Sequence, residues 1–332
     1  DIVITATLIQ RSVGGNLACN AAGPRAVKYG STRENTLGLR AVAGSGEAFR
    51  CGVYTSKGAV GYDLTRLLIG AEGTLALITE ATLKLTPLPA ARRTLAATYA
   101  DIGAATAAVA RLMAQPVTPC ALEFLDEECL RLARRVGGDA IPQAGALLVI
   151  EVDGEEATLP AAVAAVSRAA RGGGLLTLQA ASDAAEVERL WAARRALSPA
   201  LRQLAPNKIN EDVVVPVSCL PELAAGLKRL VATHGIPIVA FGHAGNGNIH
   251  VNLLYRPEDA AQAAAAPACL TQLFDLVLGL DGTLSGEHGI GLVKREFLTR
   301  AVDPHALDLM HRIKAQFDPD GILNPGKLLP RG

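Results

Sequence analysis

Apolar residues recur with two alternating patterns between residues 94 and 255. Short runs rich in Val, Ile, Leu and Thr, typical of buried strands, alternate with longer Ala-rich stretches typical of helices. The pattern predicts strands at 94–100, 121–125, 146–152, 175–179, 213–217, 237–241 and 248–255. It predicts helices at 102–114, 127–136, 159–170, 184–204 and 222–234. This repeated alternation favours an α+β or α/β layer in which helices cover a sheet.

The first 88 residues differ from this pattern. They are rich in Gly, Thr and β-forming residues, with short strands predicted at 74–78 and 81–85. Pro87 and Pro89 then interrupt the chain, and we predict a domain boundary there. The tail from about residue 258 is helical, apart from a glycine-rich loop at 279–291.

Composition excludes several classes of protein. The chain has 332 residues, of which 50% are hydrophobic, so it can bury a core and is not disordered as a whole. Lys plus Arg and Asp plus Glu both number 32, which argues against nucleic acid or an anionic membrane as partner. No apolar run approaches the roughly 18 residues of a membrane span, so we expect no transmembrane segment.

The cysteines indicate neither a cluster site nor a disulfide framework. There are six, scattered without a CxxC pair, which excludes the usual iron–sulfur and zinc-ribbon patterns. A long apolar chain does not need disulfides for stability, so we expect a reducing cytoplasm.

The strongest local signal for chemistry is the segment FGHAGNGNIH at 241–250. Asn246-Gly247 favours a two-residue type I′ hairpin, which would place His243 directly opposite His250. Their Cβ atoms would then lie roughly 4.5–5.5 Å apart, close enough for both imidazoles to bind one metal ion. A longer loop would change the register but would still bring the two histidines near each other.

A second segment, GTLSGEHGIG at 282–291, offers the adjacent side chains of Glu287 and His288 in a glycine-rich loop. Two imidazoles and one carboxylate form an open site that suits Zn²⁺, Mn²⁺ or Fe²⁺. The alternative from the residues alone is two strand histidines and a solvated Glu-His pair.

Glycine loops at 13–23 and 61–75 would let backbone N–H groups approach a flat or anionic ligand. Neither loop matches the dinucleotide or P-loop fingerprints. From the residues alone, the loops are either a cofactor surface or tight structural turns.

Seven motifs, in order, then resemble one family: GGNLACNAAG, KYG, GYDLTRLLIGAEGT, ITEATLKLTPLP, GHAGNGNIH, SGEHGIG and FDPDGILNPGKLL. From about residue 12 to 330 the chain resembles the FAD-linked oxidases of the vanillyl-alcohol-oxidase/PCMH superfamily. The branch it resembles contains the glycolate oxidase FAD-linked subunit, D-lactate dehydrogenase and D-2-hydroxyglutarate dehydrogenase.

The resemblance implies an α+β fold with three parts. Residues 1–88 would be the C-terminal part of a PCMH-type FAD-binding domain, and 89–318 a ferredoxin-like, antiparallel-sheet cap domain with helices on one face. Residues 319–332 would return to the FAD.

The resemblance also implies site residues. His243, His250 and Glu287 match the metal ligands, and His288 matches the catalytic base. Arg194 resembles the arginine that binds the substrate carboxylate, and Lys208 is a second substrate candidate, with a surface lysine as the alternative. The FAD would contact residues of the glycine loops and of the C-terminal segment: Gly14, Gly15, Asn16, Asn20, Gly23, Glu72, Gly73, Thr74 and Asn324.

The implied activity is oxidation of a small 2-hydroxy acid to the 2-oxo acid, with FAD and one divalent metal ion as cofactors. Electrons would pass to a separate acceptor, with an iron–sulfur subunit among the candidates. The expected location is the cytoplasm, with membrane contact only through a partner. The resemblance leaves open whether the protein forms a homodimer. The alternatives are a non-catalytic fragment or subunit of a multi-subunit oxidase, and a flavin-free metal-binding protein.

Residues 1–11 do not resemble the family's usual lead-in to the first glycine motif, and we expect the chain to be N-terminally truncated. Because the expected pyrophosphate-binding loop would then be missing, we also expect the 332-residue chain alone to retain little FAD.

Overall fold

The computed structural model describes residues 12–330 except 56, 138–141 and 202–205. The chain forms two compact units, which are described separately. The first contains Asp1–Leu88 together with Leu284–Gly332, and the second contains Pro89–Thr283. The chain thus passes from the first unit to the second after Leu88 and returns to the first unit at Leu284.

The first unit is built on a three-stranded antiparallel sheet with the strand order β2-β1-β3. Its elements up to residue 88 are α1 (Val13–Cys19), α2 (Ala26–Tyr29), β1 (Thr36–Ala43), β2 (Ala48–Gly52), α3 (Leu64–Leu68) and β3 (Ala76–Leu83). Leu17, Leu39, Leu68, Ile69 and Leu75 form the centre of its core.

Two strands of this sheet were not predicted from the sequence. The two short strands predicted at 74–78 and 81–85 are one strand, β3, and the other two strands of the sheet, β1 and β2, had no clear signal. Residues of β2 alternate between exposed and half-buried positions, so the strand lacks the apolar run that a buried strand shows.

The second unit is a seven-stranded sheet in which each neighbouring pair is antiparallel. Its strands are β4 (Ala91–Tyr99), β5 (Ala121–Asp126), β6 (Ala146–Gly154), β7 (Leu175–Ala180), β8 (Asn207–Val214), β9 (Ile238–His243) and β10 (Asn248–Tyr255). Its helices are α4 (Ile102–Met113), α5 (Glu127–Gly137), α6 (Leu159–Ala170), α7 (Ala184–Ala200), α8 (Leu220–His234) and α9 (Ala260–Gly279).

The strand order is β7-β4-β6-β5-β9-β10-β8. Its first four strands have the fourth-first-third-second order of a ferredoxin-like unit, as predicted. Strands β9, β10 and β8 extend this sheet beyond β5, and they carry the histidine segment. The prediction of an α+β fold with an antiparallel sheet is confirmed.

The prediction that helices cover one face of this sheet is wrong. Helices α5 and α7 pack with Leu125, Val149 and Phe241 on one face. The opposite face carries α6, where the Tyr99 hydroxyl donates a hydrogen bond to the Ala170 carbonyl. All residues of β5 and nearly all of β6 are buried, so both faces of the central strands require cover.

The strand predicted at 213–217 lies earlier in the chain, at Asn207–Val214. Pro216 has no N–H with which to continue the strand pairing, and a 3₁₀ turn follows it at Val217–Cys219. The final residues of the helix predicted at 184–204 lie outside the described residues.

After Leu284 the chain adds α10 (Leu298–Ala301) and α11 (Pro304–Phe317) to the first unit. Asp318 then stabilises the following turn, because its carboxylate accepts hydrogen bonds from the N–H groups of Ile322 and Leu323. The predicted cap domain at 89–318 and the predicted C-terminal segment at 319–332 stay predictions. The compact units are divided differently, because residues 284–318 belong to the first unit.

One helix among the described residues, α9, is long and apolar enough by composition to cross a membrane, with 20 residues and a mean hydropathy of 1.3. Its inner face, which includes Cys269, Leu273, Phe274 and Val277, is buried in the core of the second unit. Core helices pass the same test, so the expectation of no transmembrane segment stays untested.

Candidate active site

The histidine hairpin in the second unit has a different register from the predicted one. His243 pairs with Asn248, and His250 pairs with Phe241, so the loop has four residues instead of two. A shift of two residues keeps each side chain on its original face of the sheet. His243 and His250 are therefore diagonal neighbours on one face, with ring centroids 5.4 Å apart.

Packing of the loop explains the register. A 3₁₀ turn over Ala244–Asn246 leads into Gly247, whose φ of +72° favours glycine. The Gly247 carbonyl accepts a hydrogen bond from the N–H of Val215, the residue after β8. A Cβ atom on Gly247 would lie 2.0 Å from the Val215 carbonyl oxygen, so this close approach requires glycine.

Glu123, a residue of β5 that sequence analysis missed, lies between two of the predicted site residues. It pairs with His243 across the strands, and its Oε1 lies 2.5 Å from His243 Nδ1. Its Oε2 accepts a hydrogen bond of 2.7 Å from Arg194 Nε. The guanidinium of Arg194 stacks over the Phe241 ring, 4.6 Å from its centroid.

The charges at this cluster keep Glu123 ionised although its side chain is fully buried. Burial alone raises the pKa of Glu123, but the facing groups of His243 and Arg194 hold that pKa below its usual value. An ionised Glu123 accepts a hydrogen bond from the N–H at His243 Nδ1, which leaves Nε2 as the nitrogen with the lone pair in the neutral imidazole.

A neighbouring carboxylate fixes the helix that carries Arg194. Trp191, one turn earlier in α7, donates a hydrogen bond of 2.8 Å from its indole nitrogen to Glu151 of β6. Glu151 also accepts a hydrogen bond from the Thr94 hydroxyl. Trp191 and Arg194 therefore face the sheet together, since residues three apart lie on one side of a helix.

Strand β8 places polar residues on the same face as His250. Asp212 lies directly opposite His250, and Asn210 and Lys208 follow at alternate positions. Lys208 is half-buried, and its role in substrate binding stays a prediction.

Asn248 is a further polar residue that sequence analysis missed. It lies opposite His243 on the histidine face, and its Oδ1 atom is buried without a hydrogen-bond partner. An orphaned oxygen beside two imidazoles fits a site that binds a cation or a polar ligand. The donor chemistry of this face therefore suits the predicted metal.

The first unit contains a cavity of about 470 Å³ at the other group of predicted residues. Gly15 and Asn16 of α1 line it together with Glu287 and His288. Asn16 is buried, and its Oδ1 has no hydrogen-bond partner. This orphaned acceptor next to an open glycine helix fits the predicted FAD contact, because FAD offers ring and ribityl donors.

Glu287 and His288 are neighbours in space as well as in sequence. His288 Nε2 lies 3.6 Å from Glu287 Oε1, with the His288 side chain 33% exposed and that of Glu287 only 7% exposed. His288 is thus the accessible group of the pair, as a proton-accepting residue requires.

Several residues predicted to contact FAD have side chains that stabilise the protein itself. The Asn20 amide oxygen accepts hydrogen bonds from Ser31 and from the N–H of Arg33. The Thr74 hydroxyl donates to the Ala71 carbonyl. The roles predicted for these two residues and for Gly14, Gly23 and Gly73 stay predictions.

Glu72 and Asn324 form a similar internal connection. The Glu72 carboxylate accepts hydrogen bonds from the N–H groups of Ile290 and Gly291, and Asn324 donates from its side-chain amide to the Glu72 carbonyl. Glu72 therefore fixes the loop that carries Glu287 and His288.

Family models match most of the chain. The model of FAD linked oxidases, C-terminal domain, matches residues 88–328, and the FAD binding domain model matches residues 3–52. The chain therefore belongs to the FAD-linked oxidase family, and it is a flavoprotein-type oxidoreductase by that membership. The second match includes most of residues 1–11, so the expectation that they depart from the family was wrong, although they lie outside the described residues.

Named relatives are similar along nearly the whole chain. The chain is 36% identical to "Glycolate oxidase subunit GlcD" of Bacillus subtilis, covering 96% of the chain and 68% of the relative. For the Escherichia coli K12 protein of the same name the identity is 33%, covering 96% and 64%. A D-lactate dehydrogenase of Anaerostipes hadrus is 34% identical, covering 96% and 69%. The chain thus spans about two thirds of these relatives' length.

A solved structure shows the same fold. A 4-ethylphenol oxidase from Gulosibacter chungangensis superposes with a TM-score of 0.72 at 18% identity, covering 99% of this chain and 72% of that one. At this identity the likeness concerns the fold alone, which agrees with the predicted superfamily.

Proposed function

We propose that this chain is the FAD- and metal-dependent part of an enzyme that oxidises a small 2-hydroxy acid to the 2-oxo acid. The observation that carries the proposal is the cavity of the first unit, which joins Asn16 to Glu287 and His288. The named relatives support the substrate class, because glycolate and D-lactate are both 2-hydroxy acids.

Residues of the first unit would hold the FAD. Gly14 and Gly15 leave the surface of α1 without side chains, and Asn16 offers its unsatisfied Oδ1 beside them. The FAD, when bound, supplies the electron acceptor for the hydride that leaves the substrate Cα. The protein supplies position and charge.

The proposed metal ligands are His243, His250 and Glu287, all of which are buried. Imidazole and carboxylate donors suit Zn²⁺, Mn²⁺ and Fe²⁺. The metal, when bound, supplies a Lewis acid that makes a bound hydroxyl more acidic.

Two side chains would act on the substrate directly. Arg194 would bind the substrate carboxylate with its terminal nitrogens, since its Nε already donates to Glu123. His288, the imidazole that lines the cavity of the first unit, would accept the proton of the α-hydroxyl group. Lys208, on the histidine face of the sheet, would offer a second positive charge to an acidic substrate.

Electrons would leave through a separate acceptor, since the scattered cysteines give no cluster motif. Two relatives are named as oxidase subunits, which favours a partner protein such as an iron–sulfur subunit. We propose a cytoplasmic enzyme, with any membrane contact made through that partner.

The first prediction tests His288. In the FAD-loaded protein, His288→Ala should lower kcat with glycolate, D-lactate or D-2-hydroxyglutarate by about 10²–10⁴-fold, because general-base assistance is lost. Substrate affinity should change far less. The measurement is steady-state reduction of an artificial dye acceptor, together with anaerobic bleaching of the flavin absorbance.

His305→Ala is the matched control, because it removes an exposed imidazole at the start of α11. It should keep the full rate. Failure of every 2-hydroxy acid to bleach the flavin would contradict the proposed activity, and a normal rate in His288→Ala would contradict the role of His288.

A further inference from the structure

Glu123 is a fully buried carboxylate with two charged partners of different proposed roles. Its Oε1 contacts His243, a proposed metal ligand, and its Oε2 accepts from Arg194, the proposed carboxylate-binding group. Glutamate is almost never fully buried unless it is paired, because removing its charge from water costs free energy. An apolar residue in this strand would avoid that desolvation cost.

We propose that Glu123 is a positioning residue that fixes His243 and Arg194 together, so that metal binding and carboxylate binding depend on one side chain. This inference rests on the proposed function for the roles of its two partners. Glu123 itself would touch neither metal nor substrate.

The contact with His243 selects one form of the imidazole. A carboxylate can only accept hydrogen bonds, so the 2.5 Å contact keeps the proton on Nδ1. The lone pair of the neutral ring then lies on Nε2. Metal-binding histidines commonly have such a carboxylate on their other nitrogen, and its loss typically weakens metal binding about 10–100-fold.

The contact with Arg194 selects one orientation of the guanidinium. The 2.7 Å hydrogen bond uses Nε, and the ring of Phe241 supports the plane of the group from one side. The Arg194 side chain is mostly buried, with 14% exposure. A guanidinium fixed at Nε presents its two terminal nitrogens as a preorganised fork.

An ion pair that only stabilises the fold would make the same contacts. The test therefore needs a control carboxylate that is equally buried but contacts no proposed binding group. Glu151 provides it: this carboxylate is 1% exposed, lies on neighbouring β6 and accepts from Trp191 of the same helix. Its described partners, Trp191 and Thr94, belong to neither proposed binding group.

The experiment compares Glu123→Gln with Glu151→Gln in the purified protein. We expect Glu123→Gln to weaken Zn²⁺ binding about 10–100-fold in competition with a chromogenic chelator, because an amide cannot accept from both partners. At saturating Zn²⁺ it should also raise KM for the 2-hydroxy acid. Glu151→Gln should lower the Tm but change Zn²⁺ affinity less than about threefold.

A second measurement needs no variant to fold. In metal-free wild-type protein, ¹⁵N shifts of the His243 ring should place the proton on Nδ1. Equal Zn²⁺ affinity in wild type and Glu123→Gln, or a wild-type proton on Nε2, would overturn the positioning role.

The two proposals fail differently. A wild-type protein that binds no Zn²⁺, Mn²⁺ or Fe²⁺ would contradict the proposed metal site, and the ring shifts of His243 would still decide the role of Glu123. A wild type that binds metal with an affinity independent of Glu123 would contradict this inference alone.

Discussion

Single residues at the candidate site differ in how clearly the sequence shows them. His243, His250, Glu287 and His288 lie in glycine-rich motifs, so their chemistry is visible without coordinates. Glu123 lies in an apolar strand, and its partners come from residues 71 and 120 positions further along the chain. The sequence shows only that a glutamate interrupts an apolar run typical of a buried strand. This predicts that Glu123 has a charged or polar partner but does not identify that partner.

Arg194 gives the prediction that belongs to this scale. Arg194→Lys keeps the positive charge but removes Nε and the planar fork, so both the contact with Glu123 and two-point carboxylate binding are lost. We expect KM for the 2-hydroxy acid to rise about 10–100-fold, since a hydrogen bond to a charged group contributes about 1.5–3 kcal/mol.

Arg195→Lys is the control, because the neighbouring Arg195 is exposed and pairs with Glu188 on the surface of α7. Its KM should equal that of the wild type. An unchanged KM in Arg194→Lys, measured by steady-state kinetics, would remove Arg194 from the substrate site.

Secondary structure elements were predictable where burial follows a period. The strands and helices from 94 to 200 lie close to their predicted bounds, because their apolar runs report burial directly. The register of the histidine hairpin was predicted wrongly, since the Asn-Gly rule describes an isolated turn and this loop packs on Val215. The presence of helices on both faces of the sheet was likewise not predicted, because it depends on packing between residues that lie far apart in the chain.

Gly247 tests that packing. Gly247→Ala should destabilise the protein by about 1–3 kcal/mol more than an ordinary Gly→Ala change at positive φ, because its Cβ would meet the Val215 carbonyl. Since this loop joins the strands of His243 and His250, Zn²⁺ affinity should fall as well. Chemical denaturation and chelator competition measure the two effects.

Gly235→Ala is the matched control for this prediction. Its φ of +67° is similar, but nothing lies within 4 Å of the added methyl group. It should cost only about 1–2 kcal/mol for the left-handed backbone and leave Zn²⁺ affinity unchanged. Equal losses in both variants would show that contact with Val215 does not constrain the loop.

At the scale of the whole molecule, the two units contain buried carboxylates that respond to pH in opposite directions. In the first unit, burial alone would raise the pKa of Asp318, but Lys314 and the N–H groups of Ile322 and Leu323 hold it below its usual value. In the second unit, burial raises the pKa of Asp126 to about 6, and hydrogen bonds from Ala240 and Cys129 offset this only in part. The chain's zero net charge could not predict this difference, because it arises from burial.

Asp126 gives the last prediction. Since the pKa of Asp126 in the folded state, about 6, exceeds its ordinary value of 3.8, the folded state binds the extra proton, and the stability this provides is lost as pH rises from about 4 to 6. Asp101, Glu127, Glu128 and Lys228 line the cavity beside it, and Glu128 adds to the shift. The unfolding free energy of the wild type minus that of Asp126→Asn should therefore fall by roughly 2–3 kcal/mol between pH 4 and 7.

Asp318→Asn is the control. The lowered pKa of Asp318 confines its pH effect to lower pH, so the difference in unfolding free energy between this variant and the wild type should stay constant from pH 5 to 7. Urea denaturation at each pH measures both, and a constant difference for Asp126→Asn would show that Asp126 is ionised throughout this range.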